Sequence, residues 1–171
     1  MVLIVMFLLT PNLEGKLPTG SPKDFDFFLG HWQAKQRWLQ EDMSYNAFTN
    51  RVHVYKNFAG HAVQDDNFTP SEQGESYFGT AIRVYDPKQD RWVCKWFDGN
   101  FRKWNKDFFL QAEDDTMAGT IENSDKHGKY VDRITFYDIQ EDRFSWKMVR
   151  RYDGLDKDFL IGEIHYERVK K

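Results

Sequence analysis

Apolar and polar side chains alternate along the stretch that follows Gly30. One side of an extended chain would carry Trp32, Ala34, Gln36 and Trp38. The other side would carry His31, Gln33, Lys35 and Arg37. This period of two predicts a strand with one buried face. The aromatic run 24–29 lies directly before Gly30 and predicts a short helical plug that seals one end of a barrel.

Similar patterns continue to the C-terminus. They predict strands at 47–58, 61–68, 75–85, 91–97, 108–112, 116–122, 130–139, 143–152 and 158–169. Turn residues separate most neighbours, for example Asp86-Pro87 and Asp98-Gly99. Short turns favour an up-and-down antiparallel meander, and closing the meander removes its exposed edges. The sequence therefore predicts an all-β barrel of about nine or ten strands, with a two-sheet sandwich as the alternative.

Length and charge limit the classes of protein to consider. The 171 residues suit one domain with one core, which we expect at 23–171. A net charge of −3 predicts no overall attraction to nucleic acid or to an anionic membrane, and the scattered basic residues argue against a nucleic-acid partner. An aromatic content of 17% favours strands and a ring-lined core or pocket. Cys94 is the only cysteine, which excludes an internal disulfide and a cysteine-rich metal site.

Residues 1–22 are predicted to form an apolar segment followed by a linker. The run VLIVMFLL at 2–9 is far too short to span a bilayer, so no transmembrane segment is expected. It has the composition of a signal-peptide core, but no basic residue precedes it and no small-residue cleavage site follows. The alternative is a segment that packs on the barrel or is disordered. A cytoplasmic location is favoured, and a secreted or periplasmic one applies if 1–10 is a signal remnant.

Three sequence blocks carry a family resemblance. They are FDFFLGHW at the start, GTAIRVYDPKQDRWVCKWFDG in the middle and DRITFYDIQEDRFSWKMVRRYDG near the end. Together they resemble a lipocalin-like family of largely uncharacterised bacterial proteins, in the calycin superfamily, that opens with FDFW-L-G-x-W. The resemblance implies a calycin-type barrel around an apolar cavity and no established reaction. It also implies that a late basic side chain covers Trp32 at the closed end, with Arg168 as the first candidate and Arg150 as the reserve.

A search for catalytic motifs yields one polar strand face. The sequence has no G-x-S-x-G elbow, no H-E-x-x-H and no phosphate-binding loop. His61, Asp65 and Asn67 share a predicted strand face with Val63, and they are candidates for a general base or for groups that orient a ligand. The alternative interpretation is a solvated strand end beside the Pro70 loop, because carboxylates are rarely buried without a partner.

Arg83 and Arg133 lie in mid-strand among apolar neighbours. A buried arginine needs an anion, so one of them could hold the head of an acidic ligand with help from Tyr85. The alternatives are a structural pair with one of three aspartates, or an outward side chain. Those aspartates are Asp65, Asp66 and Asp132.

Four tryptophans could belong to the core, to a pocket wall or to both. They are Trp92, Trp96, Trp104 and Trp146. The inward face of a barrel serves as core and as pocket wall, so the two roles are compatible. Cys94 shares the face of Trp92 and Trp96 and is expected to be a buried, inert thiol.

Three functions remain open. The leading hypothesis is a barrel that binds a small apolar or amphipathic ligand and is not an enzyme. The second is a cyclase, isomerase or lyase on the same barrel that uses His61 or Asp65. The third is a haem-binding, nitrobindin-like protein with His165 as the axial ligand. No metal is predicted, since a set such as His53, His61 and Asp65 has only adjacency in its favour, and the oligomeric state is left open.

Overall fold

The computed structural model describes residues 20–170, and within them the chain forms eleven strands and two short 3₁₀ turns. The strands are β1 Gly30–Leu39, β2 Tyr45–Asn57, β3 Ala62–Ser71, β4 Gly74–Asp86, β5 Arg91–Asp98, β6 Lys103–Trp104, β7 Phe108–Glu113, β8 Thr116–Asp125, β9 Gly128–Tyr137, β10 Arg143–Tyr152 and β11 Asp158–Arg168. The 3₁₀ turns are Asp26–Phe28 and Phe58–Gly60. Within residues 20–170, no helix is long and apolar enough to cross a membrane.

The strands close into a ring. Each strand pairs antiparallel with the next one in the ring, β4 pairs with β5, β5 pairs with β7, and β11 returns to β1. The two-residue β6 is a side ribbon on β5, so ten of the strands described here form the barrel. This confirms the predicted up-and-down barrel and excludes the sandwich. The expectations for the apolar segment and most of the linker lie outside the described residues.

The closing seam joins β1 to β11 in continuous register from Trp32–Arg168 to Trp38–Gly162. Ion pairs follow its outer face, with Lys35 Nζ 2.9 Å from Glu167 and Arg37 Nη2 2.6 Å from Glu163. Exposed pairs of this kind contribute little to stability. The ladder hydrogen bonds and the inward face of β1 therefore hold the barrel closed.

Aromatic side chains fill one end of the barrel, the closed end. The turn Asp26–Phe28 places Phe25 and Phe28 in the lumen, where both are buried. The ring of Phe25 lies 5.0 Å from that of Trp92, and the ring of Phe28 lies 4.8 Å from that of Phe144, each edge to face. The plug predicted from the run before Gly30 is thus a single 3₁₀ turn that carries the core of this end.

Trp32 and Arg168 lie together at this end. The Trp32 indole is fully buried and donates a hydrogen bond from Nε1 to the Phe28 carbonyl oxygen at 2.6 Å. The Arg168 guanidinium lies 4.1 Å from the centre of that indole. Gly30 adopts a φ of +119°, and a Cβ there would lie 2.6 Å from Arg168 Nη1. The glycine of the G-x-W motif therefore leaves room for the arginine.

Candidate functional site

The opposite end of the barrel has an aromatic mouth. Five inward-facing aromatic side chains there are half-buried, and we call them the mouth aromatics: Trp38, Phe48, Phe78, Trp96 and Trp146. Trp38 and Trp146 have ring centroids 5.5 Å apart, and Phe78 lies 5.7 Å from Phe48 and 6.1 Å from Trp96. Their partial exposure contrasts with the buried rings of Phe25 and Phe28 in the plug. Aromatic rings therefore pack the lumen at the closed end, and the mouth aromatics are partly exposed to solvent at the other end.

Two glycines let tryptophan rings lie against the barrel wall. A Cβ on Gly162 would lie 2.6 Å from the Trp38 ring, and a Cβ on Gly79 would lie 2.5 Å from the Trp96 ring. Each ring thus covers the bare backbone of a neighbouring strand. A side chain at Gly162 would displace the Trp38 ring, and one at Gly79 would also clash with the Phe97 carbonyl oxygen.

A buried ion pair forms the floor between the mouth and the plug. The Arg83 guanidinium donates to the Asp65 carboxylate, and both side chains are almost completely buried. Asn67 Nδ2 donates to the second Asp65 oxygen at 2.6 Å. The guanidinium also lies 5.2 Å from the Phe25 ring centre and 5.3 Å from that of Phe28. We call Asp65 and Arg83 the floor pair.

Burial and charge act against each other at the floor. Burial tends to lower the pKa of Arg83, but the Asp65 carboxylate offsets this and the pKa is raised, so the guanidinium stays charged. Burial raises the pKa of Tyr166 above its ordinary value. Burial likewise raises the pKa of Cys94 to about 12, although Arg83 opposes the shift. Both groups are therefore neutral at physiological pH, and the thiol is unreactive as expected.

A second polar cluster lies on the opposite wall. Arg150 donates to both carboxylate oxygens of Asp132, at 2.8 and 3.0 Å. Its guanidinium stacks on the Tyr130 ring at 3.6 Å. Arg150 is the reserve candidate for covering Trp32, and the structure instead pairs it with Asp132. Because Arg83 and Arg150 each have their own carboxylate, the two clusters add no net charge to the lumen.

Two buried donors near the floor lack a hydrogen-bond partner among the described residues. They are Asn50 Nδ2 and Arg83 Nε. The Asn50 side chain is otherwise fixed, since its Oδ1 accepts from Thr69 Oγ1 at 2.9 Å. An unpaired buried donor is costly unless water or a ligand supplies an acceptor. Each of these two donors can therefore take one further hydrogen-bond acceptor.

Several predicted site residues lie elsewhere. The expectation that Arg133 heads a pocket is wrong, because its side chain is 51% exposed on the outside and pairs with Glu113 at 2.6 Å. His61 is exposed beside the turn Phe58–Gly60, so it does not share a face with buried Asp65. The alternative of a solvated strand end is also wrong for Asp65. Sequence position places His61 before β3 begins, where strand alternation no longer applies.

The predicted tryptophan and tyrosine positions divide between the two ends. Trp96 and Trp146 belong to the mouth, and Asn67 lies in the lumen at the floor. Trp92 and Tyr85 lie at the closed end, where Trp92 packs on Phe25 and the Tyr85 hydroxyl donates to Asp90 at 2.9 Å. Trp104 is on the outside, against Phe97.

The histidines do not form an internal haem or metal site. All five are exposed on the outside of the barrel: His31, His53, His61, His127 and His165. His165 Nδ1 is hydrogen-bonded to Ser145 Oγ at 2.9 Å, away from the lumen. His53 and Asp65 lie on opposite faces of the wall. No group of three or more histidine, cysteine or acidic side chains with metal-site geometry occurs within residues 20–170. The interior therefore does not suit an axial histidine.

Sequence reasoning missed part of the lumen. It did not single out Gln36, Trp38, Asn50, Phe78 and Met148 as candidate site residues. The alternation along β1 does predict inward positions for Gln36 and Trp38, because both lie on the same face as Trp32. Phe78 reaches the mouth through a bulge, where Asn67 pairs with Gly79 but Phe68 pairs with Tyr77. A bulge of this kind has no clear sequence signal.

A shallow groove also runs along the outer wall near β1, β2 and β11. It contains His31 and His53, whose rings stack 4.2 Å apart, together with Arg51 and Glu75. These side chains face away from the lumen, and the groove is separate from the mouth.

Comparison with known proteins identifies the fold. No protein-family model and no curated protein matches the sequence. A solved structure of an S-type phycobiliprotein lyase from Guillardia theta is similar, with a TM-score of 0.54 and 9% sequence identity. The match covers 86% of this chain and 91% of that one. At this identity the likeness is one of fold alone, and it agrees with the closed antiparallel barrel described above.

Proposed function

We propose that the barrel binds a small amphipathic ligand in its open half. The apolar part of the ligand lies between the mouth aromatics, and its polar end points toward the floor pair. The observation that carries the proposal is the contrast between the two ends, since Phe25 and Phe28 are buried in the lumen at the closed end while the mouth aromatics stay half-exposed. The resemblance of FDFFLGHW to a lipocalin-like bacterial family supports the same function.

The walls of the mouth supply the affinity. Trp38 and Trp146 face one side of the lumen, and Phe78 with Trp96 faces another. Burial of apolar surface between them is worth about 25 cal/mol per Å², and aromatic walls with a few polar groups are typical of small-molecule sites. A flat or aromatic apolar part gains additional ring contacts there.

The floor selects the chemistry of the polar end. Asp65 already neutralises Arg83, so a ligand carboxylate would meet a guanidinium and a competing carboxylate together. Asn50 Nδ2 and Arg83 Nε have no hydrogen-bond partner within residues 20–170. Each can donate a hydrogen bond to an acceptor on the ligand, and that acceptor need not be charged. A neutral carbonyl, ester or amide oxygen fits this floor as well as an acid does. This argues against the acidic ligand head group that was expected to bind Arg83 or Arg133.

A glycine substitution tests where the ligand binds. Gly162→Ala should push the Trp38 ring into the lumen and weaken binding of the neutral fluorophore N-phenyl-1-naphthylamine by about tenfold, which is about 1.4 kcal/mol. Binding is followed as energy transfer from tryptophan. The matched control is Gly162→Ala combined with Trp38→Leu, which removes the clashing ring and should recover part of the lost affinity, because Trp38 itself forms part of the wall. Unchanged affinity in Gly162→Ala would place the ligand outside the mouth.

A matched pair of ligands tests the floor. A fluorescent fatty acid and its methyl ester should bind wild-type protein with Kd values within about threefold of each other, because Arg83 is already paired. Asp65→Asn keeps the side-chain shape and frees Arg83, so the acid should then bind at least about tenfold more tightly than the ester. Thermal unfolding confirms that the variant is folded. A tenfold preference for the acid in wild-type protein would show that Asp65 does not occupy Arg83 in solution.

An enzymatic role on the same barrel is the second candidate. The similar solved structure is named a lyase, which favours this alternative. Its interior acid or base would be Asp65, which Arg83 and Asn67 hold in place by hydrogen bonds. Mass spectrometry of a ligand recovered after incubation separates the two roles. A carrier returns the ligand unchanged, and an enzyme returns a product that Asp65→Asn no longer forms.

A further inference from the structure

We propose that a basic aromatic hairpin on the rim docks the mouth onto an anionic lipid surface. The segment is 99–107, with the sequence GNFRKWNKD, and we call it the rim hairpin. It lies outside the lumen, and the proposal holds whether or not the lumen binds the ligand suggested above.

The rim hairpin is attached to the mouth. It leaves β5 at Asp98, and β6 returns antiparallel to β5. In the backbone ladder Lys103 lies opposite Asp98, and Trp104 lies opposite Phe97. The Gly99 amide donates to the Phe78 carbonyl oxygen at 2.9 Å. Phe78 is one of the mouth aromatics. A surface that binds the hairpin is thereby brought to the entrance of the lumen.

Apolar surface is concentrated on this hairpin. The Phe101 side chain is 72% exposed and that of Trp104 is 47% exposed. Trp104 keeps one face on Phe97, with ring centroids 5.2 Å apart. The Lys103 ammonium lies 5.2 Å from the Phe101 ring centre. Aromatic rings next to long basic side chains are typical of segments that insert at a membrane interface.

The charge of the hairpin opposes that of the protein. Arg102, Lys103 and Lys106 form no ion pair within residues 20–170, and Asp107 is occupied by Lys95 at 3.0 Å. The whole chain carries a net charge of −3. Three uncompensated cations in one short hairpin are attracted to anionic headgroups. A compact apolar tip with such a rim suits a lipid surface better than a protein partner, which needs a larger area.

Vesicle co-sedimentation tests the proposal. Wild-type protein should bind vesicles of mixed phosphatidylserine and phosphatidylcholine, and bind vesicles of phosphatidylcholine alone at least about tenfold more weakly. Added salt should weaken the binding, because the attraction is screened. Phe101→Ser and the double variant R102E/K103E should each lower the partition coefficient by about tenfold or more.

The closed end of the barrel supplies matched controls. Phe58 is 60% exposed there, and Lys88 is exposed in the turn between β4 and β5. Phe58→Ser and Lys88→Glu should leave vesicle binding within about twofold of wild type. Binding of N-phenyl-1-naphthylamine reports on the lumen and should be unchanged in Phe101→Ser. Failure of wild-type protein to bind anionic vesicles, or equal losses in Phe58→Ser and Phe101→Ser, would overturn the proposal.

Discussion

Replacing either member of the floor pair should lower the free energy of unfolding by about 3–5 kcal/mol. Asp65 and Arg83 are almost completely buried, and each is the charge that compensates the other. Asp65→Ala leaves the guanidinium among the rings of Phe25, Phe28 and Phe136 without its carboxylate. Arg83→Met leaves the carboxylate with Asn67 alone. Urea denaturation at neutral pH measures both losses.

An exposed arginine pair is the control for this effect. Arg133 and Glu113 also form a direct ion pair, at 2.6 Å, but both side chains are about half exposed. Arg133→Met should therefore cost less than about 1 kcal/mol, because water replaces the lost partner. Similar costs for Arg83→Met and Arg133→Met would contradict the burial of the floor pair.

The double variant separates a lost interaction from an uncompensated charge. Asp65→Leu combined with Arg83→Met removes both charges and leaves apolar side chains of similar volume. Its cost should be smaller than the sum of the costs of Asp65→Leu and Arg83→Met measured alone, and smaller than either of them where the new side chains repack well. Additive losses would mean that the two side chains act independently, which is incompatible with the pair. The difference between the cost of the double variant and the summed costs of the two single variants is the coupling energy of the pair.

The barrel fold could be predicted from the sequence because most strands show alternating apolar and polar residues and the turns between them are short. On β1 the face of Trp32, Ala34 and Trp38 was predicted correctly, since one side of that strand is charged and the other apolar. The ring closes where Trp32 pairs with Arg168, and the G-x-W resemblance had implied a basic residue there. These features depend on local pattern and on sequential neighbours, which a single sequence contains.

The lumen was harder to predict because its polar residues face inward only with a partner from a distant strand. On β9 both Asp132 and Arg133 lie among apolar residues, and a change of register by one residue exchanges their faces. Asp132 faces inward because Arg150 on β10 pairs with it. Likewise Asp65 is buried because Arg83 meets it across β3 and β4. The alternation on these strands was ambiguous, and only the three-dimensional pairing resolves it.

Trp32→Ala should cost about 3–5 kcal/mol in the free energy of unfolding, which makes it the most disruptive change expected at the closed end. The indole is fully buried, and its ring centre lies 4.9 Å from that of Phe144. Its loss leaves a cavity at the junction of the plug and β1. It also removes the hydrogen bond to the Phe28 carbonyl oxygen. That oxygen stays buried without this donor, which adds to the cost.

Graded variants separate the contributions to this cost. Trp32→Phe keeps a ring under Arg168 and loses the hydrogen bond, so it should cost about 1–3 kcal/mol. Arg168→Lys keeps the charge but loses the forked contacts to the carbonyl oxygens of Leu29 and Phe27, at 2.7 and 3.1 Å. Trp104→Ala removes a half-exposed indole outside the barrel and should cost clearly less than Trp32→Ala. Equal urea midpoints for Trp32→Ala and Trp104→Ala would contradict this prediction. The packing of Trp32 between the plug and Arg168 would then contribute no more to stability than a ring on the surface.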